Sequence, residues 1–340
     1  MMYSFIIPAY NCEKYLPDCV ESITAVGLHP FEHEILIIND GSTDGTALIC
    51  DELANRYPQV RVIHQANAGV SSARNTGIEK SRGAFLLFVD SDDTVDANKM
   101  NSILQDSHHE KVDMTVFGMR FDYYHNGKCY RQDELFYEYD GVMTSPEWAS
   151  VFYNLFQKNA LSAVWNKLFR KDIIEKHNLR FNRDMFLYED LDFVLRYMAH
   201  CRRIQNVPEA VYQYRQTEDE GNASRRIQRL PGIAMFIESI KNSMEGLTDI
   251  VPEHDRNAVL QQLFLIIAQG KVSVSKLSDI RELCREFNAW RHTHDLPLAA
   301  TKFQSRLQKE QALLLFISSK KTALRHKIAV RVKALLKRSR

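Results

Sequence analysis

Residues 85–93 read Phe85-Leu86-Leu87-Phe88-Val89-Asp90-Ser91-Asp92-Asp93, an apolar run that ends abruptly in three carboxylates. A short run that is apolar on both faces is typical of a strand buried inside a parallel sheet. In an open α/β sheet, ligands bind beyond the carboxyl ends of the strands. Three carboxylates within four residues repel one another unless a cation or strong donors compensate. The run therefore predicts a buried strand, Ala84–Val89, that brings an acidic cluster to a ligand-binding edge.

The same pattern, a short apolar strand followed by polar residues, occurs three times earlier in the chain. The predicted strands are Tyr3–Pro8, Glu34–Asn39 and Val60–His64. The stretches between the strands have helical spacing, and they are Glu13–Ala25, Thr43–Arg56 and Val70–Ser81. Strands that alternate with helices predict an α/β fold, with a Rossmann-like, mostly parallel central sheet and helices on both faces.

Polar segments follow each of the predicted strands. They are Pro8-Ala9-Tyr10-Asn11, the run 39–45, the run 65–69 and Asp90-Ser91-Asp92-Asp93. Any one of them could be ordinary turn or helix-capping chemistry, because Asp, Asn, Ser and Gly favour both. Four such segments in phase at one sheet edge indicate a shared ligand site. An N-cap role for Asp92 or Asp93 is compatible with that site.

The rest of the chain divides by its secondary-structure signals. A further strand is predicted at Asp113–Phe121, with a hairpin turn at residues 125–128, and helices are predicted from Ser145 and over Tyr188–Ala199. Beyond Ser224 only helical patterns remain, namely Arg225–Met244, Asp255–Val272, Ser278–Arg291 and Thr301–Arg340. We therefore expect a catalytic α/β domain over residues 1–220 and an α-helical C-terminal region over residues 221–340.

Taken together, the motifs resemble those of the family 2 glycosyltransferases, which have the GT-A fold. The matching segments are Pro8–Asn11, Asn39–Asp44, Asn67–Gly77 and Val89–Asp93, and the resemblance continues through Trp165–Arg170 and Glu189-Asp190. It implies transfer of a sugar from a nucleotide-sugar donor, typically a UDP-sugar, to a saccharide or lipid-linked acceptor. By the same analogy we expect a role in bacterial surface polysaccharide synthesis.

The resemblance also implies roles for individual residues. Pro8 and Tyr10 would line the base pocket, and Asp40 would accept a hydrogen bond from the base. The remaining residues assigned to the nucleotide sugar are Asn67, Arg74, Asp90 and Ser91. Asp90 and Asp92 would hold a divalent cation, Mg²⁺ or Mn²⁺, with Asp92 as the direct ligand. Asp190 would be the catalytic base, and Glu189 and Trp165 would lie beside the acceptor or behind the base.

These residue types suit a single displacement with inversion. A carboxylate within hydrogen-bonding reach can take the proton of an attacking hydroxyl, and a cation stabilises the departing diphosphate. Three alternatives stay open. Asp190 could be only a helix N-terminal carboxylate, and the chain could be a sugar nucleotidyltransferase or a non-catalytic nucleotide-sugar-binding protein. The nucleotidyltransferase lacks support, because no Gly-rich basic loop follows the first strand.

Composition points to a cytoplasmic protein. The six cysteines show no CxxC pair, which favours reduced thiols. The apolar run at residues 5–7 is too short for a signal peptide and is interpreted as a buried strand. No apolar run approaches the ~20 residues that a membrane-spanning helix needs.

The C-terminal segment Lys320–Arg340 differs in charge from the rest of the chain. It holds nine Lys or Arg and no Asp or Glu; since the whole chain carries +1, the first 319 residues carry −8. Its apolar residues recur at helical spacing, which predicts a basic amphipathic helix that lies on an anionic membrane surface. A helix packed against the acidic body or a second subunit is the alternative. No nucleic-acid reading module accompanies the charge, so we expect no nucleic-acid partner.

Overall fold

The computed structural model describes residues 2–29, 31–106, 111–185, 188–217, 228–229, 233–266 and 272–273. The chain divides into two compact units. One comprises Met1–Asn222 with Ser243–Pro252, and the other comprises Ala223–Asn242 with Glu253–Arg340. The functional division at residue 220 stays a prediction.

The first unit is built on a ten-stranded sheet that begins with four parallel strands. They are β1 (Tyr3–Ala9), β2 (His33–Asp40), β3 (Val60–Gln65) and β4 (Phe85–Phe88), in the order β3-β2-β1-β4. Every residue of β1, β2 and β4 is buried, as expected for strands covered on both faces. The predicted Rossmann-like start is confirmed, with strand ends within one or two residues of those predicted.

Helices cover both faces of these strands. They are α1 (Leu16–Thr24), α2 (Thr46–Arg56) and α3 (Val70–Lys80). Phe5, Ile7 and Ile37 pack in one core with residues of α1 and α2, whereas Leu36 and Ile38 pack with Ala73 of α3 on the other face. A Cβ at Gly77 would lie 2.3 Å from Ile6 Cγ2, so α3 lies this close to the sheet only because residue 77 is glycine.

The rest of the sheet is mixed. Its members are β5 (Thr94–Val95), β6 (Met114–His125), β7 (Lys128–Leu135), β8 (Gly141–Thr144), β9 (Lys167–Arg170) and β10 (Arg203–Thr217). The order continues β4-β9-β6-β10-β5; β9 is antiparallel to both neighbours, while β6 and β10 are parallel. The predicted β6–β7 hairpin is confirmed, with Asn126 and Gly127 at positive φ.

Strands β9 and β10 were not predicted. β9 has only four residues, and β10 contains Pro208 and two register shifts between Val207 and Tyr212. Such shifts interrupt the alternation by which a strand is recognised in a sequence. The two strands are stabilised by pairing with neighbouring strands, and a local sequence pattern does not indicate such pairing.

The described residues of this part of the chain contain five further helices. They are α4 (Ala97–Gln105), α5 (Ser145–Ser150), α6 (Phe152–Gln157), α7 (Lys171–Lys176) and α8 (Glu189–Met198). Helix α5 begins where it was predicted, with a capping box formed by Thr144 and Glu147. Helix α8 follows Tyr188, which has a left-handed backbone with φ of 59°.

Beyond residue 220, the described residues contain α9 (Ile233–Glu245), α10 (Glu253–Ile266) and a two-residue parallel pair, β11 (Gln228–Arg229) with β12 (Val272–Ser273). The two helices overlap predicted ones, and the strand pair was not predicted. The predicted helices at 278–291 and 301–340, with the basic segment Lys320–Arg340, lie outside the described residues. Within the described ranges, no helix is long and apolar enough to cross a bilayer.

Candidate active site

The polar segments predicted from sequence meet beyond the carboxyl ends of β1 to β4. Strand β1 lies between β2 and β4, so the direction of the strand order reverses beside it. The ligand crevice of doubly wound sheets lies at such a reversal. The segments after β1 and β2 and the residues after β4 flank this position.

Asp40, at the end of β2, is buried and holds the loop that follows β3. Its carboxylate accepts hydrogen bonds from Gln65 Nε2 at 2.7 Å, Ala68 N at 3.0 Å and Gly69 N at 2.8 Å. The next residue, Gly41, has φ of 67°, and a Cβ there would lie 2.6 Å from the backbone nitrogen of Asn67. Asp40 therefore fixes the shape of the predicted nucleoside pocket, whatever else it binds.

The loops after β1 and β2 are joined through Asn11. Its side-chain oxygen accepts from Thr43 N at 2.8 Å, and its backbone N–H donates to Ser42 Oγ at 3.1 Å. Pro8 is buried within β1, whereas Tyr10 is 50% exposed and Asn67 is exposed. A firmly held loop thus presents an exposed aromatic ring at the predicted base pocket.

Arg74 of α3 contacts three carboxylates from two segments that lie far apart in sequence. Its guanidinium donates to Asp190 Oδ1 at 2.7 Å, to Asp90 Oδ1 at 3.0 Å and to Glu189 Oε1 at 3.5 Å. Its side chain is 4% exposed. Burial disfavours the charged form, but the surrounding carboxylates outweigh it, so the pKa of Arg74 is raised. The predicted base and the predicted metal region thus share one permanently charged partner.

Asp190 lies in the first turn of α8. Burial raises the pKa of its carboxyl to about 7, against the lowering effect of the Arg74 charge. The nearby backbone amide of Val164 also favours the ionised form. A carboxyl whose pKa lies near 7 is suited to general-base chemistry at neutral pH. Asp192, in the same turn, is instead buried in a structural pair with Arg196.

The loop after β4 is held from β10 by Tyr212. The tyrosine hydroxyl accepts from Asp90 N at 3.0 Å and donates to Asp93 Oδ2 at 2.7 Å, and Asp93 Oδ1 accepts from Arg215 N at 2.7 Å. Asp93 is buried, and burial with the neighbouring Asp92 and Asp90 charges raises its pKa. Asp93 therefore shapes the loop from inside, while Asp90, Ser91 and Asp92 are partly exposed.

The donor set of this loop fits a hard cation that binds together with a diphosphate. Asp90 and Asp92 offer carboxylate oxygens, which Mg²⁺ and Mn²⁺ prefer. Among the residues that the structure describes, no group of three or more His, Cys, Asp or Glu side chains could hold a metal ion. Mg²⁺ usually takes only one or two protein carboxylates and completes its coordination with water and substrate phosphates. Two carboxylates are therefore enough.

Trp165 is half-buried, and its ring stacks on two tyrosines of β10. The ring centroids lie 4.3 Å from Tyr212 and 5.6 Å from Tyr214, with interplanar angles of 19° and 23°. The tryptophan thus supports the tyrosine that holds the Asp90 loop. A wall for the acceptor, its other predicted role, stays a prediction, as does that of Glu189.

Two groups at the site were missed by sequence reasoning, the Tyr212 hydroxyl and the Arg215 backbone, because both lie on β10, which was not predicted. The alternating aromatics of Tyr212-Gln213-Tyr214 were the one available signal, because such alternation is typical of a strand face.

Comparison with known proteins agrees with this geometry. Residues 4–177 match the family model described as glycosyl transferase family 2. "Uncharacterized glycosyltransferase EpsJ" of Bacillus subtilis is 32% identical over 215 residues, which are 63% of this chain and 61% of EpsJ. "Minor teichoic acid biosynthesis protein GgaB" of Bacillus subtilis is 26% identical over 78% of this chain but only 28% of its own length.

The fold is also that of a solved structure. The crystal structure of S. aureus TarS 1–349 in complex with UDP-GlcNAc superposes with a TM-score of 0.66 at 18% identity, over 98% of this chain and 90% of that chain. This likeness supports the predicted GT-A architecture. Because the family model covers just over half of the chain, including β1 to β4 and their polar loops, the chain belongs to glycosyl transferase family 2.

Proposed function

We propose that this chain is a glycosyltransferase that moves a sugar from a nucleotide-sugar donor, a UDP-sugar first of all, to a hydroxyl of a saccharide or lipid-linked acceptor. The observation that carries the proposal is the Arg74 contact. It joins Asp190, whose raised pKa suits a base, to Asp90 at the edge where a donor diphosphate would lie.

The reaction follows from these positions. Asp190 takes the proton of the acceptor hydroxyl as its oxygen attacks the anomeric carbon. The new C–O bond forms as the bond from that carbon to the diphosphate oxygen breaks, and the nucleoside diphosphate leaves with the electron pair. Attack from the face opposite the leaving group inverts the anomeric configuration. Arg74 keeps the base oriented, and its charge favours the ionised carboxylate.

Asp90 and Asp92 would hold the Mg²⁺ or Mn²⁺ ion. When bound, a divalent cation acts as a Lewis acid that stabilises the charge of the departing diphosphate. Tyr212 and Asp93 keep the loop that presents the two carboxylates in one shape.

Support for the donor and the acceptor class comes from relatives. The TarS structure contains UDP-GlcNAc, and GgaB is named for minor teichoic acid biosynthesis. We propose a place in surface polysaccharide synthesis on this basis. We also propose a position at the inner face of the cell membrane, because the basic segment Lys320–Arg340 is predicted to bind an anionic membrane surface.

The test is a screen of nucleotide sugars, beginning with UDP-GlcNAc, for divalent-dependent release of the nucleoside diphosphate. Acceptors are then added, and NMR of the product reports the anomeric configuration. We expect metal-dependent turnover with inversion. Retention would contradict the single displacement. Pyrophosphate made from a nucleoside triphosphate and a sugar phosphate would indicate a nucleotidyltransferase, and UDP binding without turnover of any donor would indicate a binding protein.

A further inference from the structure

Asn75 follows Arg74 in α3, and its side chain binds a segment that lies far away in sequence. Asn75 Oδ1 accepts from Phe181 N at 2.8 Å, and Asn75 Nδ2 donates to the Phe181 carbonyl at 2.8 Å. Both residues are buried. Buried polar groups cost free energy when they lack partners, so these two bonds fix the Phe181 backbone against α3.

The ring of Phe181 lies under the Arg74 guanidinium. Arg74 Cζ is 5.4 Å from the centroid of this ring. A cation is attracted to the negative face of an aromatic ring, and more strongly where both are shielded from water. Phe181 is 2% exposed and Arg74 is 3% exposed. The ring therefore supports the guanidinium from the side opposite to solvent.

The Phe181 ring also packs against the two elements that carry the carboxylates. It stacks on Phe193 of α8, with centroids 4.2 Å apart and an interplanar angle of 5°. It meets Phe88, the last residue of β4, edge to face at 5.3 Å. Phe193 follows Asp190 in α8, and Phe88 directly precedes the segment that holds Asp90. One buried ring thus contacts α3, β4 and α8, whose side chains meet at the guanidinium.

We propose that Asn75 is a positioning residue that acts through Phe181 on Arg74. With the ring fixed, the guanidinium keeps its bonds to Asp90 and Asp190 at once, so the proposed base stays aligned with the donor site. The N–H donors of a guanidinium form a rigid planar fork, so a displaced Arg74 would lose one of these two partners. The proposal rests on the proposed function, because it assigns Asp190 as the base.

The experiment compares Asn75→Ala with Asn206→Ala in the full chain. Asn206 is a matched control, because it is also a buried asparagine that binds two backbone groups, the Tyr137 and Tyr139 carbonyls, near the start of β10. For hydrolysis of UDP-GlcNAc with Mn²⁺, we expect kcat of Asn75→Ala to fall about 100-fold, the scale for a catalytic group that is misplaced by about 1 Å. Both variants should have a lower Tm, but Asn206→Ala should keep kcat within about twofold of wild type.

A double-mutant cycle supplies the readout that a general loss of stability would not give. If Asn75 acts through Arg74, then Asn75→Ala should lower kcat by less than about threefold in an Arg74→Lys background, which already lacks the planar fork. Asn206→Ala should have the same effect in both backgrounds. If Asn75→Ala does not fold, Asn75→Ser, which keeps one hydrogen-bonding group, carries the same cycle with a smaller loss. Losses that multiply in the double variant, or a folded Asn75→Ala with wild-type kcat, would overturn the proposal.

Hydrogen exchange separates this inference from the proposed function, because it needs no turnover. In Asn75→Ala the Phe181 amide loses its acceptor, so its exchange should be faster. Exchange should also be faster at the Asp192 amide, which donates to the Tyr188 carbonyl in the first turn of α8, because that helix packs on the freed ring. Asn206→Ala should leave both rates unchanged. Wild-type exchange at Asp192 in Asn75→Ala would overturn the inference. Faster exchange there, in a protein that is inert toward every donor, would contradict the proposed function alone.

Discussion

Strands β1 to β4, here called the parallel half, and strands β6, β9 and β10 with helix α8, here called the mixed half, supply the candidate site in different ways. In the parallel half, each polar segment directly follows a parallel strand, so one repeated sequence pattern predicts which residues meet at the sheet edge. In the mixed half, the site groups are two carboxylates in the first turn of α8 and a tyrosine in the middle of a long strand.

The difference implies a division of function between the two halves. The parallel half carries the residues assigned to the donor and the cation, and the mixed half carries the proposed base. Arg74 contacts both, and its bond to Asp190 spans 116 positions of sequence. If this division is real, substitutions in the parallel half should weaken UDP binding, and substitutions in the mixed half should lower kcat.

The largest effect is expected for Asp92→Asn in the parallel half. An amide is a weaker ligand for a hard cation than a carboxylate, so metal-dependent binding of UDP should weaken greatly and transfer should fall below detection. Calorimetry with UDP and Mn²⁺ measures the first effect and product release the second. Asp96→Asn is the control, because Asp96 caps α4 through Lys99 N and asparagine caps helices equally well. If Asp92→Asn kept full activity in the presence of a chelator, the proposed role of the metal would be contradicted.

Asp190→Asn in the mixed half should lower kcat by about 10²–10⁴ while leaving UDP affinity nearly unchanged, because a general base acts on the acceptor rather than the donor. Since the pKa of Asp190 is raised to about 7, wild-type kcat should rise with pH through that value and level off above it. The variant should lose this rise of kcat with pH. Asp192→Asn is the matched control; it breaks a buried pair with Arg196 and should lower Tm without moving the pH profile.

An equal loss of UDP affinity and kcat in Asp190→Asn would contradict the division. It would mean that the carboxylate serves mainly to hold Arg74. In that case Asp190→Asn and Asp92→Asn would have the same kinetic signature, and the two halves would form one binding site without a separate base.

Tyr212→Phe tests whether the mixed half holds the donor loop of the parallel half. Removing the hydroxyl takes the acceptor from the Asp90 N–H and one of two donors from the Asp93 carboxyl, and a buried unsatisfied group costs about 1–3 kcal/mol. We expect that loss in the free energy of unfolding, measured with urea, and about a tenfold lower kcat. Tyr57→Phe, at a half-buried position after α2, is the control. Unchanged stability would show that the loop holds its shape without β10.

The parallel half was predictable from sequence, and the mixed half was predictable only in part. Strands of a parallel sheet are indicated by short, largely apolar runs, and turn residues mark their ends, so β1 to β4 were placed to within two residues. The resemblance placed Asp190 beside the same site. Nothing local indicates that Tyr212 reaches Asp90, because that contact forms only when β10 joins the sheet.

The smallest effect on the chemistry is expected from deletion of residues 320–340, since both halves of the site lie within the first 217 residues. Hydrolysis of UDP-GlcNAc should be unchanged. Binding to vesicles that contain anionic lipid should be lost, because each basic residue near such a surface contributes about 1 kcal/mol. For the full chain, binding should weaken as salt rises, and neutral vesicles are the control. Transfer to a lipid-linked acceptor should fall, since enzyme and acceptor no longer share one surface. A truncated protein that melts earlier, together with full-length protein that ignores anionic vesicles, would instead show that the segment packs against protein and that the two halves depend on it for stability.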